Sequence, residues 1–443
     1  MKFSKFVSNF DYVLFFTVII LTVIGILFIY SANLNKSTEL QSQFIKQILF
    51  TIISLIILIT IMFISEKYII EFSFAFYIFC IIGLAITLFF PEVKGQKRFS
   101  FFFVSVQFSE FMKIASILML SKFYANSTSE EIRKLTTYLK ASIFILIPVV
   151  FILLQPDLGT MLVYFPIFLG ISYMAGIKKR YLLYTILLFL FVAFIPVVTS
   201  INKLFFENEN EILSLFTNTK YVIIMYIFLS ITLSLSVLSV SNIIKGINLK
   251  MKRIFYWLMF FTSVFYIGTL LSYPVDKYVL ESYQKDRIMI FFNPYFDPKG
   301  KGYNIIQSIT TIGNGGILGK GWCKGEQIQN FFLPEQATDF IYPVIAEEKG
   351  FIGSFIILFL YSLIFYRSLY AVLNTKNYWK AYTIIGIIFM MLFHIIQNMG
   401  MSIGIMPITG IPLPFLSYGG SFLITCFMGI GLIMNFELNR YHY

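Results

Sequence analysis

Residues 11–32 read DYVLFFTVIILTVIGILFIYSA, and this stretch decides the kind of fold. No charged side chain occurs from Tyr12 to Tyr30. A helix of about 20 apolar residues crosses a hydrocarbon core of about 30 Å, so the segment is long enough to span a membrane. Lys2 and Lys5 precede it, and the small residues Ser31 and Ala32 follow, which also suits a cleaved signal peptide. The apolar run exceeds the usual signal core of about 7–15 residues, and further spans follow, so the expectation is a retained first helix with a cytoplasmic N-terminus.

The same pattern recurs outward along the chain. Spans are expected at 12–32, 44–64, 70–90, 108–122, 140–155, 159–175, 181–199, 220–242, 254–273, 350–369, 381–401 and 418–436. The fold class is therefore all-α: a polytopic integral membrane helical bundle of about twelve spans, both termini cytoplasmic, read as one transmembrane domain over 1–443. Composition agrees, since 58% of the 443 residues are hydrophobic and only 13% are charged, against about a quarter charged in soluble domains. The net charge of +12 sits in short loops such as Lys178, Lys179 and Arg180, where it signals cytoplasmic placement and contact with anionic lipid rather than nucleic acid. Cys80, Cys323 and Cys426 stand far apart, and with His394 and His442 they form no metal spacing and no disulfide framework.

Two outer segments break the pattern, 91–113 and the large extracytoplasmic loop 274–349. Both carry cations on the side where the inside rule disfavours them, among them Lys94, Lys97, Arg98 and Lys113, then Lys285, Arg287, Lys320 and Lys324. An anionic ligand explains them where a topology signal does not. Glu110 and Lys113 are three apart on one helix face, suited to a phosphate contact or to a local ion pair. Arg98 adds a bidentate donor. QPDLGT at 155–160 interrupts apolar sequence between two short half-spans; Asp157 there either orients a ligand or caps the next helix. In 332–353, FLPEQATDFIYPVIAEEKGFIG, a helix would put Glu335 and Asp339 on one face, and a half-buried Asp339 suits a catalytic base. Carboxylates at a helix start are the alternative. The five glycines from Gly313 to Gly321 lack the strand and helix of a nucleotide loop and read as a tightly turned outer loop. GIMPITGIPLPFLSYGG, 404–420, reads as a rigid loop lining a cavity.

Taken in order, these motifs resemble the SEDS family (shape, elongation, division and sporulation), and its elongation branch most. The likeness rests on the first span, GQKRF with QFSEFMK, QPDLGT, YQKDRIMIFFNPYFDPKGKGYNIIQS, GNGGILGKGW, FLPEQATDF and GIPLPFLSYGGS. It implies a peptidoglycan glycosyltransferase that polymerises lipid II at the outer face of the cytoplasmic membrane during elongation. It also implies inversion at the sugar, with Asp339 as catalytic base and Arg98, Lys113 and Glu335 as further functional positions. Implied partners are lipid II, the undecaprenyl-diphosphate-linked glycan, a class B penicillin-binding protein and other elongation-complex membrane proteins. No cofactor is fixed, although a divalent cation, magnesium or manganese, suits the diphosphate. Family members have ten spans, so 200–273 is expected to be an insertion carrying an extra pair. Phe99, Phe108 and Ala337 depart from the family's Trp, Pro and His, and the last removes a partner of Asp339. A lipid II flippase or other transporter fits twelve spans too, as does a division-type paralogue; no internal repeat supports a carrier.

Overall fold

The computed structural model describes residues 10–34, 38–90, 92–93, 96–97, 99–101, 104–206, 216, 219–241 and 248–439. Among them the first span is α1, Tyr12–Asn33, opened by Asp11, whose carboxylate accepts from the Leu14 amide at 3.0 Å. Then come α2, Thr38–Phe63, and α3, Glu66–Thr87. Two short antiparallel pairs follow, Glu92–Val93 with Gln96–Lys97 and Phe99–Phe101 with Val104–Val106. Next are α4, Phe108–Ala125, a single turn α5, Ser129–Ile132, then α6, Leu135–Leu153, and α7, Leu158–Ala175.

The chain divides into two compact units, residues 178–302 forming one and the remainder the other. The smaller unit holds α8, Lys179–Val192, α9, Phe194–Phe205, α10, Thr219–Val240, α11, Leu249–Pro274, and α12, Ser282–Phe292. Within it, Ser272 stitches the α8–α9 junction, donating to Val192 O at 2.7 Å and accepting from the Ile195 amide at 3.0 Å. Two of the loop cations here are paired, Lys285 with Asp276 at 3.1 Å and Lys301 with Asp286 at 2.7 Å.

The larger unit resumes with α13, Tyr303–Gly315, a turn α14, Glu326–Gln329, then α15, Ile341–Asn374, α16, Tyr378–Ser402, and α17, Gly420–Leu438. Gly350, at φ +63°, breaks α15 so that the lipid-length part begins at Phe351, close to the expected start at 350. The amides of Phe351 and Ile352 bond to Gly316 and Ile317 carbonyls at 2.9 and 3.2 Å, which satisfies the break.

Eleven helices among the described residues are long and apolar enough to cross a membrane. The twelfth expected span is α4, which carries Glu110, Lys113 and Lys122. It sits inside the larger unit, with Met112, Ile114, Ala115 and Ile117 fully buried, so its charges do not face lipid. Helix α17 lies deepest among the candidate spans, almost wholly buried, whereas little of α2 is buried. Lipid tails are as apolar as leucine, so close backbone approach rather than water exclusion drives such packing. Gly431 provides it: an added Cβ would lie 3.2 Å from Leu58 O on α2. The expected half-spans around 155–160 are instead full helices of 19 and 18 residues, because Pro156 interrupts the chain between them rather than within a span.

Candidate active site

The first turn of α4 brings charge into the bundle. Glu110 and Lys113 form an ion pair at 2.6 Å, their side chains 5% and 0% exposed. Lys113 Nζ also lies 3.0 Å from His394 Nε2 of α16, and His394 Nδ1 lies 3.1 Å from Pro412 O. A carbonyl only accepts, so Nδ1 carries the imidazole proton, and Nε2 is left to accept from the ammonium. The Phe422 ring stacks on His394 at 4.5 Å and lies 5.2 Å from the Lys113 ammonium. A buried charge needs such company, since alone it would be costly to desolvate.

Asp157 is the N-cap of α7. Its carboxylate accepts from the Thr160 amide at 3.0 Å, the Thr160 hydroxyl at 2.8 Å and the Gln107 amide group at 2.9 Å. That geometry is the capping alternative, and it also ties α7 to the residue preceding α4. Behind the cap, Gly159 faces the 404–420 loop, where a Cβ would lie 2.6 Å from Thr409 O.

Asp339 lies against the same loop. Residues 334–340 are turns, not the helix expected from the spacing of Glu335 and Asp339. Glu335 takes φ +49°, and its carbonyl accepts from the Thr338 and Phe340 amides, both at 3.3 Å. A left-handed residue stops a helix, so α15 begins only at Ile341 and the two carboxylates do not share a helical face. Glu335 is exposed and accepts from the Thr338 hydroxyl at 3.2 Å, whereas Asp339 is half-buried. The Asp339 carboxylate packs against Gly410, where a Cβ would stand 3.2 Å from Oδ2. Its backbone is held on both sides. Asn398 Nδ2 donates to Asp339 O at 2.8 Å, and the Tyr418 amide donates to Ala337 O at 2.8 Å.

The loop itself is gripped by α16. Gln397 donates to Pro407 O at 2.8 Å, Asn398 to Ile411 O at 2.7 Å, and His394 to Pro412 O. A Pro-rich segment has few backbone donors and no ladder of its own, so side chains must satisfy its carbonyls. With Leu413 and Leu416 fully buried, the loop is part of the core.

The structure thus gathers Glu110, Lys113, Asp157 and Asp339 around one loop. Of the two readings of Lys113, the structure shows the local ion pair with Glu110. Lys113 does not point outward at a phosphate, because its ammonium is enclosed by Glu110, His394 and Phe422. Glu347 accepts from the Gln327 and Ile328 amides at 3.0 and 3.2 Å, and Glu348 accepts from Ser31. Arg98 lies outside the described residues. His394, Gln397 and Asn398 are the functional candidates that sequence reading missed. Their signal was three polar side chains in HIIQN within an apolar span. No group of three His, Cys, Asp or Glu among the described residues could hold a metal ion. A magnesium held mainly by phosphate oxygens would take only one or two carboxylates.

Fold and site define a multi-pass helical membrane protein with a half-buried carboxylate clasped to a rigid loop. The chain matches the cell cycle protein family of FtsW, RodA and SpoVE over residues 11–220 and 210–442, and it belongs to that family. It is 34% identical over 440 residues to the peptidoglycan glycosyltransferase RodA of Treponema pallidum, covering 98% of this chain and 99% of that one. It is 42% identical over 163 residues to the peptidoglycan glycosyltransferase MrdB of Escherichia coli, 37% of this chain and 44% of the relative. The crystal structure of Thermus thermophilus RodA superposes with a TM-score of 0.59 at 20% identity, covering 98% of both chains. A structure described as a peptidoglycan synthase complex coordinating polymerisation and crosslinking matches with a TM-score of 0.64 at 23% identity, covering 98% of this chain and 99% of the other.

Proposed function

We infer that this chain is a peptidoglycan glycosyltransferase that polymerises lipid II during elongation, with Asp339 as its general base. The acceptor is the 4-hydroxyl of the terminal GlcNAc of lipid II. The donor is a glycan α-linked through MurNAc C1 to undecaprenyl diphosphate. Asp339 takes the hydroxyl proton as the new O4–C1 bond forms and the C1–oxygen bond to the diphosphate breaks, leaving a β linkage. The electron pair departs with the diphosphate, whose charge needs cations. Arg98 and the other outer-loop cations supply them. Lys113, Glu110 and Asp157 act instead by fixing α4, α7 and the 404–420 loop around the base.

The observation that carries this reading is the Asp339 carboxylate, half-buried against Gly410 with its backbone clamped from two sides. A base must be held in register with the hydroxyl it deprotonates, and Ala337, where the family has His, offers it no side-chain partner. Both termini lie in the cytoplasm, Asp339 faces outward from the cytoplasmic membrane, and residues 200–273 are an inserted pair of spans. A crosslinking transpeptidase of the penicillin-binding class is the partner, in keeping with the synthase complex that the fold matches.

The test is purified protein with lipid II. Asp339→Asn keeps the shape and removes the base, so strand formation should fall by about 10²–10⁴-fold. Polymer at the unsubstituted rate refutes the assignment. Transbilayer movement of lipid II without polymer would favour a transporter.

A further inference from the structure

Asn398 lies one helical turn beyond His394 on α16 and is fully buried. Its side-chain nitrogen is 2.8 Å from Asp339 O and 2.7 Å from Ile411 O. Carbonyls only accept, so the NH2 group and not Oδ1 must face them, and its two hydrogens go one to each. Oδ1 is buried with no hydrogen-bond partner. An unsatisfied buried acceptor is costly, so this orientation gives up the side chain's own acceptor to hold two carbonyls. The segments it joins are 59 and 13 residues away in sequence. One ends in the turn that presents Asp339. The other follows Gly410, whose backbone at φ +73° rests against the Asp339 carboxylate.

We propose that Asn398 is a positioning residue for Asp339: a single amide fixes the aspartate's backbone to the strap that its carboxylate packs against. Asn398 touches no reacting atom. Its role rests on the reading of Asp339 as the base. Neither half of the junction has regular structure to hold it. Residues 334–340 are turns, and the strap lies between Gly410 and Pro412. Without the amide, the Tyr418–Ala337 bond still ties the turn to the loop two residues earlier, but the Asp339 backbone loses its own hold on the strap and the carboxylate can shift from its line to the acceptor hydroxyl. A displacement of about 1 Å at a catalytic group can cost about 10²-fold in rate.

The molecule contains its own control. Asn435 on α17 is also fully buried, and its nitrogen lies 2.8, 3.1 and 2.7 Å from the carbonyls of Ile61, Met62 and Ile64. It does the same chemistry at the end of α2, against no residue of the site. The experiment measures kcat and KM for lipid II polymerisation, and the melting temperature, for the full chain carrying Asn398→Leu, Asn398→Ser or Asn435→Leu. Asn398→Leu should lower kcat about tenfold or more with KM within about twofold, because geometry and not binding is lost. Asn398→Ser keeps one donor and should fall between it and the unsubstituted protein; it also carries the test alone if the leucine variant does not fold. Asn435→Leu should lower the melting temperature comparably and leave kcat unchanged. Folded Asn398 variants with unchanged kcat overturn the proposal. So does a loss of kcat matched by Asn435→Leu at equal loss of melting temperature. An inactive Asp339→Asn beside a fully active Asn398→Leu would end the positioning role and leave the base in place. An active Asp339→Asn would end the base reading itself.

Discussion

Replacing Gly410 with alanine tests whether the Asp339 carboxylate sits where the reaction needs it. Two costs follow from one added methyl. Gly410 has φ +73°, a region where a Cβ costs roughly 1–2 kcal/mol. The new Cβ would also stand 3.2 Å from Asp339 Oδ2 and 3.9 Å from its Cγ, close enough that the carboxylate must give by a few tenths of an ångström. If about 1 Å of misplacement costs about 10²-fold, a shift of about a third of an ångström costs roughly fivefold in kcat. Gly404→Ala supplies the comparison. Gly404 has φ +80°, so the backbone cost is similar, but its Cβ would meet the Ile309 side chain, Cδ1 at 3.0 Å and Cγ1 at 3.9 Å. Both variants should lose melting temperature by similar amounts, and only Gly410→Ala should lose kcat in a lipid II polymerisation assay. Full kcat in folded Gly410→Ala, or an equal loss in Gly404→Ala, would refute the placement of the base.

The enclosed Glu110–Lys113 pair should be far more sensitive to losing one partner than to losing both. Lys113→Met alone leaves a buried carboxylate and should cost about 3–5 kcal/mol, while adding Glu110→Gln should recover part of it; a double-mutant cycle on thermal stability measures the coupling, and additive losses would contradict the pair. Asp157→Ala removes the cap of α7 and should destabilise by about 1 kcal/mol, whereas Asp157→Asn should keep most of the cap; equal melting temperatures for the two variants would count against capping.

How much of this was legible in the sequence varies by element. The spans were legible because apolar length is a local property: eleven of the twelve expected segments each fall on one helix, to within a few residues at most ends, and the expected 181–199 runs across α8 and α9. Helix α4 was found despite its charges. The site was half legible. Asp339, Glu110, Lys113 and Asp157 stood out as polar groups at membrane depth, and their gathering around one loop agrees with that signal. Their roles did not follow from spacing. Glu335 and Asp339 are four apart, which a helix would place on one face, but the left-handed Glu335 turns the chain first. For Lys113 the spacing left a phosphate contact and an ion pair with Glu110 both open, because His394, which helps enclose it, is 281 residues away.

By itself the sequence determined a multi-pass helical chain and the family it belongs to, and it singled out the Asp339 carboxylate as a candidate base, because hydrophobic length and ordered motifs are written along the chain. Only the tertiary structure decided what holds that carboxylate. Asn398 reaches Asp339 across 59 residues, and a hydrogen bond depends on where two atoms meet in space, which no sequence period encodes.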